Sequence, residues 1–340
     1  MNQPPSLPAH AQVVQMIFGS VVSRAVYAVA ELGIADQLSE GPRSADDVAQ
    51  AIDAHAPSVY RLLRTTAGLG LFVQHADGRF SLTPLGEALK SGAPGHARST
   101  VRSVGGPIFW GAMSEFLHSV KTGEDGMMKV FGESFFDFIS KQPVEGSLFN
   151  EAMIGIHGAE PPAVAAAYDF SGIKTLVDVG GGTGNLLTTI LLANPGLSGV
   201  LFDAPAVAAE ARPAIAAKGL ADRCEVVEGS FFDRVPAGGD AYLLSHIIHD
   251  WSMDKCITIL QNCRHAMEPG GRLLLVEMVI PPGNDLHPGK LLDMVMLGMT
   301  PGGTERTAEE YGRLFAKAGF HLARVVPTES AVSVVEGVPN

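Results

Sequence analysis

Cysteine is scarce in this chain. There are three, Cys224, Cys256 and Cys263, an odd number at a density far below that of a disulfide framework, which excludes a disulfide-stapled scaffold and fits a reducing compartment. Basic charge is short as well: 24 Lys and Arg stand against 36 Asp and Glu, for a formal net charge of -12. Surfaces built for nucleic acid or anionic membranes need clustered cations, so neither is an expected partner. No uninterrupted apolar run is long enough to span a bilayer. The most apolar early segment, Val13 to Ile34, holds Ser20, Ser23, Arg24 and Glu31 and reads as a core helix. The opening MNQPPSLPAHAQ lacks the basic and apolar regions of a secretory signal. A soluble cytoplasmic protein is the expectation, with small molecules or a second copy of the chain as partners.

Apolar residues, by contrast, make up 46% of the 340, enough for large cores and too many for a disordered or fibrous chain. A chain of this length usually divides into two domains. Residues 1–100 carry a helical period. VVQMIFGSVVSRAVYAVAEL reads as a helix stopped by Gly33, SADDVAQAI opens on Ser44 with Asp47 three residues later, and APSVYRLLRTTAGLG begins with proline and ends in glycine. LFVQHADGRFSLT then reads as a hairpin around Ala76, Asp77 and Gly78. Three helices followed by a hairpin is a winged-helix pattern, often a DNA reader, but the third helix carries only Arg61 and Arg64 as bases. An apolar first helix on so small a domain points to self-association instead.

Residues 101–168 read as a helical connecting segment rich in aromatics and methionine. From 169 onward, TLVDVG, GVLFD, CEVVEG, AYLLS and RLLLVEMVI alternate with helix-like segments, the signal of a parallel sheet covered on both faces. FHLARVV and SAVSVVEG close the chain as a hairpin on that sheet.

LVDVGGGTGNL, at the end of the first of these strands, is a glycine loop that lets backbone amides approach a ligand. Starting at Gly180 and Gly182, the dinucleotide fingerprint would need glycine at 185 and meets Asn185; the common phosphate loop is also absent. Asp203 ends the next strand, where a carboxylate can accept both hydroxyls of a ribose. In SHIIHDW, His246 and His249 follow the strand AYLLS at the sheet edge where such folds bind ligands. A metal reading would add Cys256, Cys263 and His265, but the cysteines share a helix face with ITIL and His265 suits a helix end, so no metal is expected. Asp250 reads as a helix cap before SMDKC. Glu277, inside LLLVEMVIP, is an unusual place for a charge and needs a partner, either in catalysis or at a helix N-terminus. Glu305, in PGGTERT, has a salt bridge to Arg306 or Arg313 as its plainer alternative.

DVGGGTG, LFD, EGSFF, HDWS, LLLVE and GGTERT, in this order, resemble the plant-type small-molecule O-methyltransferases that use S-adenosylmethionine, together with their bacterial relatives in secondary metabolism. The resemblance covers nearly the whole chain. It implies an α/β fold: a Rossmann-like class I methyltransferase domain with a seven-stranded, mostly parallel sheet at 169–340, behind a winged-helix-like dimerisation domain at 1–100, and hence a homodimer. It implies cofactor contacts at Gly180, Gly182, Asp203, Gly229, Ser230, Phe231 and the backbone of Ser245. Ser230 stands where the family usually has Asp, and Ser245 where plant enzymes often have Lys. His249 takes the place of the base, with Glu277 and Glu305 to orient it. Phe149, Met153, His246, Met296 and Thr300 take the place of substrate walls, Thr300 standing where Asn is common. The implied substrate is a hydroxylated aromatic molecule, with phenazines and aromatic polyketides in front. Methylation of a ring nitrogen or a carboxylate, and a non-methylating regulatory role, are the alternatives.

Overall fold

The computed structural model describes residues 7–340; the first six, part of the opening segment read for a signal, lie outside the described residues. The chain forms two compact units. One comprises residues up to Trp110 together with Phe138–Gly158, the other Gly111–Asp137 together with Ala159–Asn340. The stretch 101–168 is therefore divided between them. Its helix Pro143–His157 packs along Ala97–Val104 of the first unit, where Ser99 donates to Glu151 (2.6 Å). Its helices Phe116–Thr122 and Gly126–Phe131 pack on Pro288–Met299 of the second.

In the first unit, Ser44 and Asp47 form the reciprocal capping box that starts Ala45–Ala51, and Pro57 lies in the first turn of Ala56–Gly68. Strands β1 (Phe72–Gln74) and β2 (Phe80–Leu82) pair antiparallel as the wing. Val29, Ile34, Val48, Leu63 and Phe80 close the core of this unit. The first helix departs from expectation. It breaks at Phe18 into Ala9–Ile17 and Gly19–Glu31, and Val13, Met16, Ile17, Phe18 and Val21 are all exposed. It is not a core helix of this chain, because only the far end of Gly19–Glu31, at Val29 and Ala30, reaches the core. Arg24 is held along that helix by the Gly105 carbonyl, to which it donates, and by the rings of Tyr27 and Trp110, 4.4 and 4.8 Å from its guanidinium carbon.

The second unit carries the remaining strands: β3 (Thr175–Val179), β4 (Ser198–Asp203), β5 (Cys224–Glu228), β6 (Gly239–Ser245), β7 (Met267–Glu277), β8 (Phe320–Pro327) and β9 (Ser333–Pro339). They form one seven-stranded sheet in the order β5-β4-β3-β6-β7-β9-β8. The first five pair in parallel; β9 enters antiparallel between β7 and β8, so the closing hairpin sits on the sheet as expected. Strands such as TLVDV and YLL are buried on both faces because helices cover both, one core gathering around Leu187, Ile190 and Leu243 and the other around Tyr242, Leu260 and Phe315.

Strand order reverses between β3 and β6, and at such a switch point the loops on either side part to leave a crevice at the carboxyl edge. Gly180, Asp203, Gly229, His246 and Glu277 all lie at or just past a carboxyl end of β3 to β7.

Candidate active site

The glycine loop is built for close approach. Gly180, Gly182 and Gly184 all have positive φ (74°, 58° and 80°), and a Cβ on Gly180 would come within 2.5 Å of Ile247. The Gly182 amide donates to Asp203 Oδ2 (2.8 Å) and the Ala204 amide to Asp203 Oδ1 (2.6 Å). An ionised carboxylate offers about four lone-pair positions, so two remain to accept from a diol. Burial pushes the Asp203 carboxyl up, against the pull of those two amides. Beneath the loop, Asp178 is buried, and neither of its oxygens has a hydrogen-bond partner among the described residues. Burial, with the charge of Asp203 added, raises its pKa to about 7.

The aromatic wall comes from Phe231, Phe232 and Trp251, with Phe136 stacked on Trp251 at 5.9 Å between centroids. Ser230 is exposed and its hydroxyl accepts from the Phe232 amide (3.3 Å). Ser245, half-buried, ends β6 in register with Val276.

Past Ser245 the chain turns sharply. His246 adopts φ +53°, a left-handed conformation that costs a residue with a side chain on the order of 1 kcal/mol. Ile248–Asp250 then form a single 3-10 turn that presents His249, buried, toward two acids. His249 Nδ1 lies 2.7 Å from Glu305 Oε1 and 3.2 Å from Glu277 Oε2, at ion-pair distance although neither oxygen lies on the ring N–H axis. Each oxygen of Glu277 meets a different group. Its Oε1 accepts from the Ile248 amide at the start of the 3-10 turn (3.0 Å), and its Oε2 faces His249. For Glu305 the salt-bridge alternative fails: Arg306 turns away and donates to the Ile248 and Thr304 carbonyls (3.0 and 3.1 Å), while Arg313 pairs with Glu309 and Glu310.

Loop 300–307 is tied in place from several sides. Thr304 donates its amide to the His249 carbonyl (2.8 Å), Glu305 donates its amide to Asp293 Oδ1 (2.8 Å), and the Ile280 amide donates to the Arg306 carbonyl (3.0 Å). A Cβ on Gly303 would sit 2.5 Å from the His249 carbonyl, so a glycine is required there. The Asp250 expectation is corrected. Ser252, not Asp250, occupies the N-cap position of Met253–Ala266, and Asp250 Oδ1 lies 3.6 Å from His249 Nε2, because the 3-10 turn carries Asp250 back toward the histidine. Burial alone would lower the His249 pKa, but the charges of Glu277 and Asp250 and the contacts to both glutamates hold it well above its ordinary value. In return, the Glu277 carboxyl, which burial would raise, is held low by His249, while burial keeps that of Glu305 high.

The chain has known counterparts. The chain matches the family model of the O-methyltransferase domain over residues 113–321 and that of the O-methyltransferase dimerisation domain over 14–92. It is 43% identical to a phenazine O-methyltransferase of Lysobacter antibioticus across 99% of this chain and 98% of that one. This chain belongs to the O-methyltransferase family. Its fold superposes on the crystal structure of LaPhzM with a TM-score of 0.93 at 43% identity, covering 98% of this chain and all of that one. The neocarzinostatin-biosynthesis O-methyltransferase NcsB1, in complex with S-adenosylmethionine and 2-hydroxy-5-methyl naphthoic acid, follows at 0.83, with 34% identity over 94% of this chain and 96% of that one.

S-adenosylmethionine is the methyl donor of this O-methyltransferase family, and the donor set fits it: amides and a two-site carboxylate for a ribose, aromatic faces for an adenine, and a buried unpaired acid whose charge a cation would stabilise. The other expected site residues are spread over both units. Met296 and Thr300 are buried at the end of the second unit's Pro288–Met299, and the Thr300 hydroxyl spends its hydrogen on the Met296 carbonyl (2.8 Å), leaving only acceptor capacity. Phe149 and Met153 lie half-buried on Pro143–His157 of the first unit. Cys256 and Cys263 are buried core thiols, as expected, and burial pushes the Cys256 thiol up to about 11.

Sequence reading passed over four charged residues of this O-methyltransferase. Asp178 lies inside the glycine motif and Arg306 beside Glu305, while no local signal marks Asp293 or Glu160. Glu160, buried, holds His246 Nε2 at 2.7 Å. An Arg306→Met substitution removes the guanidinium donations to the Ile248 and Thr304 carbonyls and one of the cations that favour ionised, buried Glu277. It should lower the unfolding free energy by on the order of 3 kcal/mol in a denaturant titration; an unchanged midpoint would contradict this account of the loop.

Proposed function

We propose that this O-methyltransferase methylates a phenolic hydroxyl of a polycyclic aromatic natural product, with His249 as the proton acceptor. The single observation that supports the reading is the pair of carboxylates 2.7 and 3.2 Å from His249 Nδ1, which favours the ring proton on that nitrogen and Nε2 as the proton acceptor. Bound S-adenosylmethionine supplies an electrophilic methyl group on a sulfonium. A phenol with a pKa near ~10 is mostly protonated at neutral pH, so its oxygen becomes a competent nucleophile only as a base takes the proton. His249 takes it at Nε2, and Glu277 and Glu305 stabilise the imidazolium that results. Gly180, Gly182 and Asp203 hold the cofactor's methionine and ribose portions, Gly229, Ser230 and Phe231 flank the adenine, and Ser245 contributes backbone only. The rest of the acceleration is positioning in a site poor in water.

A flat aromatic acceptor suits Met296 and Thr300, with His246 beside them on the same unit. Phe149 and Met153 join them on the strength of the family resemblance alone. The phenazine and naphthoate substrates named for the relatives support a fused-ring hydroxyl over a simple phenylpropanoid. Self-association is supported by the dimerisation-domain match and by the exposed apolar face of Ala9–Ile17 and Gly19–Glu31.

His249→Ala should abolish most turnover on hydroxylated tricycles while leaving cofactor affinity nearly unchanged in calorimetry; full turnover would remove the proposed base. The pH dependence has a definite sign. A group whose pKa is raised stays protonated to higher pH, so the reactive basic form of His249 grows in above the ordinary histidine range and kcat rises with pH through that value. Glu277→Gln removes one of the raising charges and should move the rise to lower pH; a shift to higher pH would contradict the electrostatic role of Glu277. Sedimentation equilibrium should return twice the 35.7 kDa chain mass, and a monomer mass would refute the dimer.

A further inference from the structure

In the folded chain, His246 and His249 converge with Glu277, and one ligand atom from each lies within 4.8 Å of the other two. Glu277 Oε2 is 3.2 Å from His249 Nδ1 and 4.0 Å from His246 Nδ1. Zinc with bonds of about 2.0–2.1 Å in a tetrahedral set requires ligand atoms roughly 3.3 Å apart; the Glu277–His249 separation already matches this, and the Glu277–His246 separation is within about an ångström of it. Glu305 Oε1, 2.7 Å from His249 Nδ1, is on hand as a fourth ligand.

Two further observations point to a ligand. Glu277 Oε2, Glu305 Oε1 and His249 Nδ1 are buried atoms with no aligned hydrogen-bond partner among the described residues, and both oxygens lie within 3.2 Å of that nitrogen. His246 Nε2 lies 2.7 Å from buried Glu160, the carboxylate-on-histidine support that fixes a ring's tautomer and leaves the opposite nitrogen as the donor to a metal. Two imidazoles and one or two carboxylates suit zinc far better than magnesium, which favours oxygen ligands in an octahedron.

We infer that His246, His249 and Glu277, backed by Glu160 and Glu305, form a site for a zinc-class divalent cation, and that its occupation switches methyl transfer off. The inhibition follows from the tautomer. A metal on His249 Nδ1 leaves the neutral ring's only proton on Nε2, the nitrogen that must accept the phenol proton. This second half rests on His249 being the base; the binding half does not.

The test is calorimetric titration of the full-length protein, free of cofactor, with zinc alone, followed by initial rates at fixed zinc. One ion per chain should bind, and His246→Asn, which tolerates the left-handed backbone, and Glu277→Gln should each weaken it about tenfold or more. The inhibition constant of the unsubstituted enzyme should equal the calorimetric Kd, EDTA should restore the rate, and cofactor affinity should not change. Zinc binding of undiminished affinity in both variants, or no saturable binding at all, would overturn the site. Binding lost in both variants without inhibition of the unsubstituted enzyme would keep the site and overturn the switch. Full turnover of His249→Ala would remove the base reading while leaving the binding result standing.

Discussion

A carboxylate with no access to water, directly after the apolar run Leu273–Val276 at the end of its strand, is the constraint on which this site depends. Glu277 closes β7 fully buried, where an unpaired charge would be costly. One oxygen accepts from the Ile248 amide and the other lies 3.2 Å from His249 Nδ1, so a single side chain bears on both the start of the 3-10 turn and the ring that the turn carries. Arg306, buried in the neighbouring loop, donates to the carbonyl of the same Ile248 and so locks that turn from its other side. Removing any one of these groups strands another in a low-dielectric place.

The same economy of partners governs the cofactor half. Asp203 is held by two backbone amides that reach it only because glycines permit the loop to fold close, and the side chain still has acceptor positions left. Asp178 is the complementary case, a buried acid without a hydrogen-bond partner among the described residues and with its pKa raised to about 7. A sulfonium cofactor brings positive charge into this neighbourhood, which favours the ionised forms of both acids.

Much of this was legible in the residues. Continuous apolar strands alternating with helices announced the parallel sheet, the glycine loop, Asp203 and His249 stood where strands end, and Glu277 stood out as a charge within an apolar run. The capping box at Ser44 and the closing hairpin were also local signals, readable within a few residues. What escaped reading was long-range. His246 meets Glu160 across 86 positions, and nothing near either residue marks the pairing. Arg306 looked like an ion-pair partner because it adjoins Glu305, but alternation along an extended loop sends neighbouring side chains opposite ways. Val13 to Ile34 was apolar enough for a core helix, yet an apolar face says only that it will be covered, not by what. The division of 101–168 between two units likewise depends on which helices pack together, a tertiary matter that periodicity does not record.

The central claim is that the two glutamates place the proton of neutral His249 on Nδ1 and leave Nε2 as the acceptor. The most direct measurement is the nitrogen-15 spectrum of histidine-labelled protein above the His249 pKa, with His249→Asn used to assign the signal. The account predicts a protonated Nδ1 and a bare Nε2. A proton on Nε2 would contradict it.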